Sequence, residues 1–143
     1  KVLADLHIRV DPLISVSEGH RIGDEVMDAL KTRFPEVGDV VVHIDPEDDI
    51  VGDVYSKLPM RSVIVAEINT NLHKLQNNFD ARFSLQPKNI VVHYLDDGCQ
   101  IEIWMTMPDE ATTRDCSLAS STIKDALMSI DNVVSASVLF SSN

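Results

Sequence analysis

The chain has 143 residues, of which 44% are hydrophobic and 24% are charged. This length allows one ordinary domain or two small ones, and the composition excludes an intrinsically disordered chain. The 23 Asp and Glu residues exceed the 12 Lys and Arg residues, so the formal net charge is -11. Nucleic acid is therefore not an expected partner, because so acidic a chain repels a phosphate backbone and attracts cations.

The cysteines and the apolar segments indicate a soluble intracellular chain. Cys99 and Cys116 are too far apart for a CxxC metal motif, and two thiols do not form a disulfide framework. This usage favours a reducing compartment such as the cytoplasm. No apolar run approaches the roughly 18 residues of a membrane span, and the amino terminus lacks the apolar segment of a signal peptide.

The first third of the chain predicts the order strand, helix, strand. Apolar and polar residues alternate before and after a central segment, which is typical of half-buried strands. Ser15-x-x-Glu18 is a helix-capping signature, and apolar residues at helical spacing follow it until Pro35. The predicted elements are a strand over 2–10, a helix over 17–34 and a strand over 40–45.

The remaining residues predict the order helix, strand, strand, helix, strand. Asp97-Gly98 lies between two apolar runs and is a strong hairpin signal, because both residues tolerate the positive φ of a tight turn. Residues 46–58 have no sustained period and carry acidic residues and Gly, as a connector does. The predicted elements are a helix over 60–77, strands over 90–95 and 99–107, a helix over 112–129 and a strand over 133–140.

A shift of 97 residues, which places Val2 on Cys99, superposes the first part of the chain on the second. The apolar phase of the first strand, the helix register and the cap all agree, with Ser15 falling on Thr112. The sequence therefore predicts tandem ferredoxin-like (metallochaperone-like) open-faced sandwiches of the α+β class. The predicted domains are a first copy over 1–49, a linker over 50–58 and a second, degenerate copy over 59–143.

The first copy is predicted to be truncated at its start, because it lacks the leading helix and strand of the second. A fragment of this size buries too little apolar surface to be stable alone. We therefore expect either that the native chain extends upstream of Lys1 or that the fragment packs on the second copy or on another chain.

Three potential metal-binding side chains are predicted on the non-core face of the first sheet. His43 and Asp45 are two residues apart in one strand and share a face, and His7 lies on the polar face of the other strand. His20, near the helix start, can overhang the strand ends. Such an N/O set suits zinc and also accepts iron(II), cobalt or manganese. The same spacing fits polar residues on a solvated sheet face, and the pattern by itself leaves both interpretations open.

Residues 1–49 resemble the cytoplasmic C-terminal domain of cation diffusion facilitator (cation efflux) transporters. The family pattern has a histidine-bearing strand, a Ser-x-x-Glu-x-His helix start, a Phe-Pro helix end and a closing Val-His-x-Asp/Glu-Pro strand. In this chain these features are His7, Ser15/Glu18/His20, Phe34-Pro35 and Val42-His43-Ile44-Asp45-Pro46.

The resemblance implies a non-enzymatic, metal-binding regulatory and dimerisation domain of a divalent cation efflux transporter. It implies a homodimer, a transmembrane domain upstream of Lys1 and a cytoplasmic position at a membrane, such as a bacterial inner membrane. Zn²⁺ is the expected ion, with Fe²⁺, Co²⁺, Mn²⁺ or Cd²⁺ as alternatives. Carried over position by position, the candidate ligands are His7, His20, His43 and Asp45.

Two other functions stay open: a ferredoxin-like small-molecule sensor that uses the groove between the copies, and an enzyme with a single catalytic metal. A soft-metal site at His93 and Cys99 is a weaker alternative to ordinary packing. We expect the second copy to be structural, because the shift places residues without suitable ligand atoms at its four candidate positions. These residues are Trp104, Ser117, Phe140 and Ser142.

Overall fold

A computed structural model of the protein describes residues 1–46 and 57–142. The chain divides into a first unit, Lys1–Asp53, and a second unit, Val54–Asn143. Most of the predicted linker, residues 50–58, lies outside the described residues, so the predicted domain boundaries stay a prediction. Within the described ranges, no helix combines the length and the apolar composition needed to cross a membrane.

The predicted elements of both units form close to their expected bounds, which confirms the mixed α+β class. The second strand begins at Val37, earlier than its alternation indicated. The elements are β1 (Val2–Arg9), α1 (Val16–Arg33), β2 (Val37–Asp45), α2 (Arg61–Gln76), β3 (Asn89–Leu95), β4 (Gly98–Thr106), α3 (Thr113–Met128) and β5 (Val133–Ser141).

In the first unit, β1 and β2 form a parallel two-stranded sheet joined by α1. Ser15 begins the helix, because its Oγ accepts a hydrogen bond from the Glu18 backbone N–H at 3.1 Å. Two glycines let α1 approach the sheet closely: a Cβ at Gly19 or Gly23 would lie 3.3 Å from Ile44. The helix thus covers one face of the sheet, and the alternate side chains of both strands lie on the other.

The second unit has a three-stranded sheet in the order β3-β4-β5, with β3 antiparallel and β5 parallel to β4. Its helices α2 and α3 bury residues at helical spacing, among them Ile68 and Ile123, which are fully buried. These pack with alternate residues of β4. The buried core comprises Ile64, Ile68, Leu72, Phe83, Leu85, Cys99, Ile101, Ile103, Met105, Ala111, Ala119, Ile123, Leu127, Ile130, Val133 and Ala136.

The predicted hairpin between β3 and β4 is confirmed, and Gly98 is required both for its positive φ and for a close backbone contact. Asp96 and Asp97 form the turn, while Gly98 already pairs with Leu95 in the ladder. Gly98 has a φ of +149°, and a Cβ there would lie 2.6 Å from the carbonyl oxygen of Asn132. Gly98 therefore lets the backbone at Asn132, which leads into β5, pass close to β4.

The ladder registers correct the repeat alignment by one residue in the last strand. Leu6 is opposite Val42 in the first unit, and Ile103 is opposite Val138 in the second. If Leu6 corresponds to Ile103, Val42 corresponds to Val138, a shift of 96, and not to Leu139. The second unit thus has one residue fewer between the helix start and the final strand. A comparison without gaps cannot place such a deletion. That the units are copies of one domain stays a prediction.

Two predicted placements in the second unit were therefore wrong. Phe140 does not occupy the position of His43, because its side chain packs against the core. Leu139 lies opposite Trp104 just as His43 lies opposite His7. The corrected counterparts are Leu139 for His43 and Ser141 for Asp45.

Candidate metal centre

Two histidine rings stack on the sheet face that points away from α1. His7 and His43 are direct partners in the parallel ladder, so their side chains project from the same face at the same height. Their ring centroids are 4.5 Å apart and their planes are inclined by 12°. The two side chains are 58% and 47% exposed, so a solvated ion can reach them.

Two carboxylates meet these rings from opposite ends of the pair. His7 Nδ1 donates a hydrogen bond to Asp45 Oδ2 at 2.7 Å, and Asp5 Oδ1 lies 3.1 Å from His43 Nε2. Asp5, His7 and His43 each offer a ligand atom within 4.8 Å of the other two. Sequence analysis did not name Asp5 as a ligand, although the alternation of β1 places it on the same face as His7.

The fourth predicted ligand, His20, lies elsewhere in the first unit. It is on α1, which packs on the opposite face of the sheet from the stacked rings. Its side chain is 80% exposed, and its Nε2 is 3.7 Å from the Asp24 carboxylate. It lines a pocket of about 400 Å³ at the strand ends, together with Ile44 and Pro46. Among the described residues, His20 is therefore not part of the cluster of three potential ligands.

The donor chemistry of this face fits a divalent metal ion. Two imidazoles and a carboxylate are the ligand types that zinc and neighbouring transition metals accept in proteins. The carboxylates of Asp5 and Asp45 also supply the negative charge that attracts a cation to the exposed face. Three protein ligands leave at least one position of a tetrahedral ion open for water or for a further group.

The corresponding face of the second unit has a different chemistry. Trp104 and Leu139 occupy the paired positions and are 40% and 38% exposed. Neither side chain offers a lone pair that binds zinc. His93 lies on this open face, opposite Gln100 in the ladder and 3.9 Å from the Glu102 carboxylate.

Cys99 does not share that face with His93. It pairs with Tyr94 in the ladder, adjacent to His93, so the two side chains point to opposite sides of the sheet. Cys99 is fully buried in the core, and burial raises the pKa of its thiol. The soft-metal alternative for His93 and Cys99 therefore lacks a common face.

Two comparisons with known proteins found similarities to this chain. Residues 1–47 match the family model of the cation efflux protein cytoplasmic domain, so the match contains the whole histidine face. The chain is also 30% identical over 145 residues to Metal tolerance protein C1 of Arabidopsis thaliana, which covers 97% of this chain and 31% of that protein. No solved structure matches the chain.

The matches cover only part of the chain or of its relative. The chain spans about a third of the length of the metal tolerance protein, and the similarity extends over both units. The matched family is one of transporter domains, not of enzymes. Residues 1–47 are therefore similar to the cytoplasmic domain of cation efflux proteins.

Proposed function

We propose that this chain is the metal-binding regulatory and dimerisation domain of a divalent cation efflux transporter, with zinc as its ion. The observation that carries the proposal is the exposed pair of stacked imidazoles, His7 and His43, flanked by two carboxylates. The surrounding residues match the cytoplasmic domain of cation efflux proteins. The name of the related metal tolerance protein agrees with a role in metal handling.

In this proposal, the ion links two protomers. Among the described residues, the exposed cluster offers three potential ligands, which leaves a tetrahedral ion incomplete, and groups of a second copy complete the coordination. His20 and Asp45 are the further candidates in each protomer. Binding shifts the equilibrium between open and closed dimers only if the ion has different affinities for them, and this difference is what regulates transport.

Calorimetric titration with Zn²⁺ tests the site directly. We expect about one to two ions per protomer, and the double variant His43→Ala/Asp45→Ala should lose most of the affinity. The matched control is His93→Ala/Glu102→Ala, which removes a histidine and a carboxylate from the open face of the second unit. Binding by the first double variant within a factor of two of the unchanged protein would contradict the proposal.

Sedimentation at several protein concentrations tests the role in dimerisation. Zn²⁺ should strengthen the dimer of the unchanged chain and should have no such effect on the His43→Ala/Asp45→Ala variant. A parallel titration with amino acids tests the small-molecule sensor alternative, since that function predicts binding without metal. A zinc-saturated protein that stays monomeric at all concentrations would overturn the dimerisation role.

The affinity for zinc should also fall between pH 7 and pH 5. An imidazole must be neutral to coordinate a metal, and a histidine ordinarily takes up its proton near pH 6.5. Titrations in steps of pH give the affinity loss, with carboxylate ligation alone predicting a much smaller change over this range. An affinity at pH 5 equal to that at pH 7 would argue against histidine ligation.

A further inference from the structure

The outer edge of the second sheet is formed by β5, which differs from the other strands in its side chains. β5 pairs with β4 on one side, and within the described part of the chain no strand pairs with its other side. Each of β1, β2, β3 and β4 contains at least one Asp, Glu or His, whereas β5 contains no ionisable side chain. Edge strands are commonly protected by charged side chains or proline. We propose that this edge pairs with the same edge of a second copy of the chain, without metal.

The ladder shows which backbone groups of β5 point to its outer edge. The Ser141 carbonyl accepts a hydrogen bond from the Met107 N–H at 2.9 Å, so the backbone groups of Ser141 point toward β4. Successive residues of a strand direct these groups to opposite sides. The backbone groups of Ala136, Val138 and Phe140 therefore point to the outer edge, where another strand can pair with them.

The opposite edge of the same sheet, at β3, is partly covered. Arg61, at the start of α2, donates a hydrogen bond to the Ile90 carbonyl at 2.8 Å. On β5 the comparable contact is from the Ser120 hydroxyl of α3 to the Val138 carbonyl, and it is longer, at 3.4 Å. It engages an acceptor that has two lone pairs, and it leaves the N–H donors of the strand available to a partner. β5 is therefore the more accessible of the two edges.

Charge favours a second copy of the chain as the partner. The net charge is -11, so two copies repel each other wherever acidic surfaces meet. Residues 132–142 contain no charged side chain. On α3, Ser117 and Lys124 lie three and four residues from Ser120 and share its side of the helix, so this row holds a cation and no acid. Two copies can therefore meet along this edge without bringing carboxylates of the edge together.

Symmetry and length set the register of the pair. A two-fold contact places β5 antiparallel to itself, and all nine residues overlap only when the axis passes through Ser137, the middle residue. Ala136 then pairs with Val138 of the second copy, and the exposed Leu139 lies opposite a small residue, Ser135. An edge about 30 Å long, formed by a sheet and a helix layer, offers on the order of 600 Å² per copy. This is about the lower limit of stable protein interfaces, so we expect a reversible dimer.

Sedimentation of the full chain in EDTA tests this interface separately from the zinc site of the proposed function. We expect a concentration-dependent dimer, which His43→Ala/Asp45→Ala leaves unchanged. Ser137→Glu should weaken the dimer roughly tenfold, because it places two carboxylates opposite each other at the axis, each beside Glu102. Asn69→Glu, an exposed change on α2, adds the same charge elsewhere and should have no effect.

A mixture of opposite charges tests the register. A labelled Ser137→Glu chain should return to the dimer in the presence of excess Ser137→Lys, and should stay monomeric in the same excess of unlabelled Ser137→Glu. Residue 137 must lie opposite itself in the two copies for this rescue to occur. Equal dimer formation in both mixtures would contradict the proposed pairing.

Hydrogen exchange of the unchanged chain gives a readout that needs no variant. In EDTA, the N–H groups of Ala136 and Val138 should become protected as the protein concentration rises. Those of Ser137 and Leu139 point toward β4 and should be protected at every concentration. A chain that stays monomeric in EDTA, or a dimer in which the protection of Ala136 and Val138 does not change, would overturn the inference. Either result would leave the zinc binding of the proposed function intact.

Discussion

The two units of this chain share a strand-helix-strand plan and use it differently. The second unit adds β3 and α2 to that plan and buries a core of 16 residues. Among the described residues of the first unit, Val40 is the buried hydrophobic side chain, and the rest of its apolar face is only half buried. An added strand and helix thus convert a marginal motif into a stable one.

On the outer faces of the two sheets, it is the first unit that carries the distinctive residues. Where the first unit pairs His7 with His43, the second pairs Trp104 with Leu139. The first unit therefore carries ionisable residues at its paired ladder positions on a weak scaffold, and the second carries a strong core under a face whose paired positions hold no metal ligands. The comparison suggests that stability and metal binding are divided between the units, and the following experiments test this division.

Separating the units should produce the largest effect. Residues 57–143 expressed alone should unfold cooperatively without metal, because the fragment contains the complete core. Residues 1–53 alone should show no cooperative transition. Thermal unfolding followed by circular dichroism checks both fragments. A cooperative transition in the fragment 1–53 without metal would break the comparison.

Matched truncations in the two sheets should differ several-fold in cost. Ile103 is fully buried, so Ile103→Ala should reduce the free energy of unfolding by about 3 kcal/mol, whereas the half-buried Leu6 should cost less than half of that when changed to Ala. Trp104 is the single tryptophan and reports the second unit by fluorescence. Leu6→Ala should leave the urea midpoint of the Trp104 signal unchanged, and a shift equal to that of Ile103→Ala would contradict independent cores.

Transplanting the histidine pair sharpens the comparison of the outer faces. Trp104→His/Leu139→His places two imidazoles at the paired ladder positions of the second unit, next to Glu102, which occupies the position of Asp5. In the His43→Ala/Asp45→Ala background, we expect zinc binding to reappear, at least tenfold weaker than in the unchanged chain. Calorimetry measures the gain, and no gain at millimolar zinc would show that the paired positions are insufficient.

The smallest expected effect concerns the cap of α3 at low pH. Hydrogen bonds from the Thr112 N–H and hydroxyl hold the pKa of the Asp115 carboxyl below its ordinary value. A lowered pKa in the folded protein adds stability above the pKa of the unfolded chain, near pH 4, and the gain disappears as the pH falls through the folded value. Asp115→Asn should therefore lower the urea midpoint at pH 7 and much less at pH 2.5.

Glu18→Gln in the first unit is the matched control, because Glu18 holds the same place relative to its cap residue Ser15. It should leave the Trp104 transition unchanged at both pH values. If Asp115→Asn lowers the urea midpoint equally at pH 7 and pH 2.5, the carboxylate charge is not what stabilises this cap.

The amino-acid sequence by itself determined the order of the elements and the chemistry of the outer face. Alternation, capping residues and prolines act over a few residues, so their consequences can be predicted without knowledge of distant partners. The same local alternation placed His7, His43 and Asp45 on one side of the strands. The residues that match the cation efflux family lie in this well-determined region.

Only the tertiary structure decided the register of the last strand, the close backbone contact at Gly98 and the pairing of each carboxylate with its imidazole. His7 and Asp45 meet across 38 residues of sequence, and their distance follows from the parallel ladder that α1 allows to form. Asp5 joins the cluster through the same ladder, while α1 carries His20 to the other side of the sheet. Periodicity predicts which face a side chain occupies, but a shift of one residue in pairing reverses that face, and pairing is set by packing between distant segments.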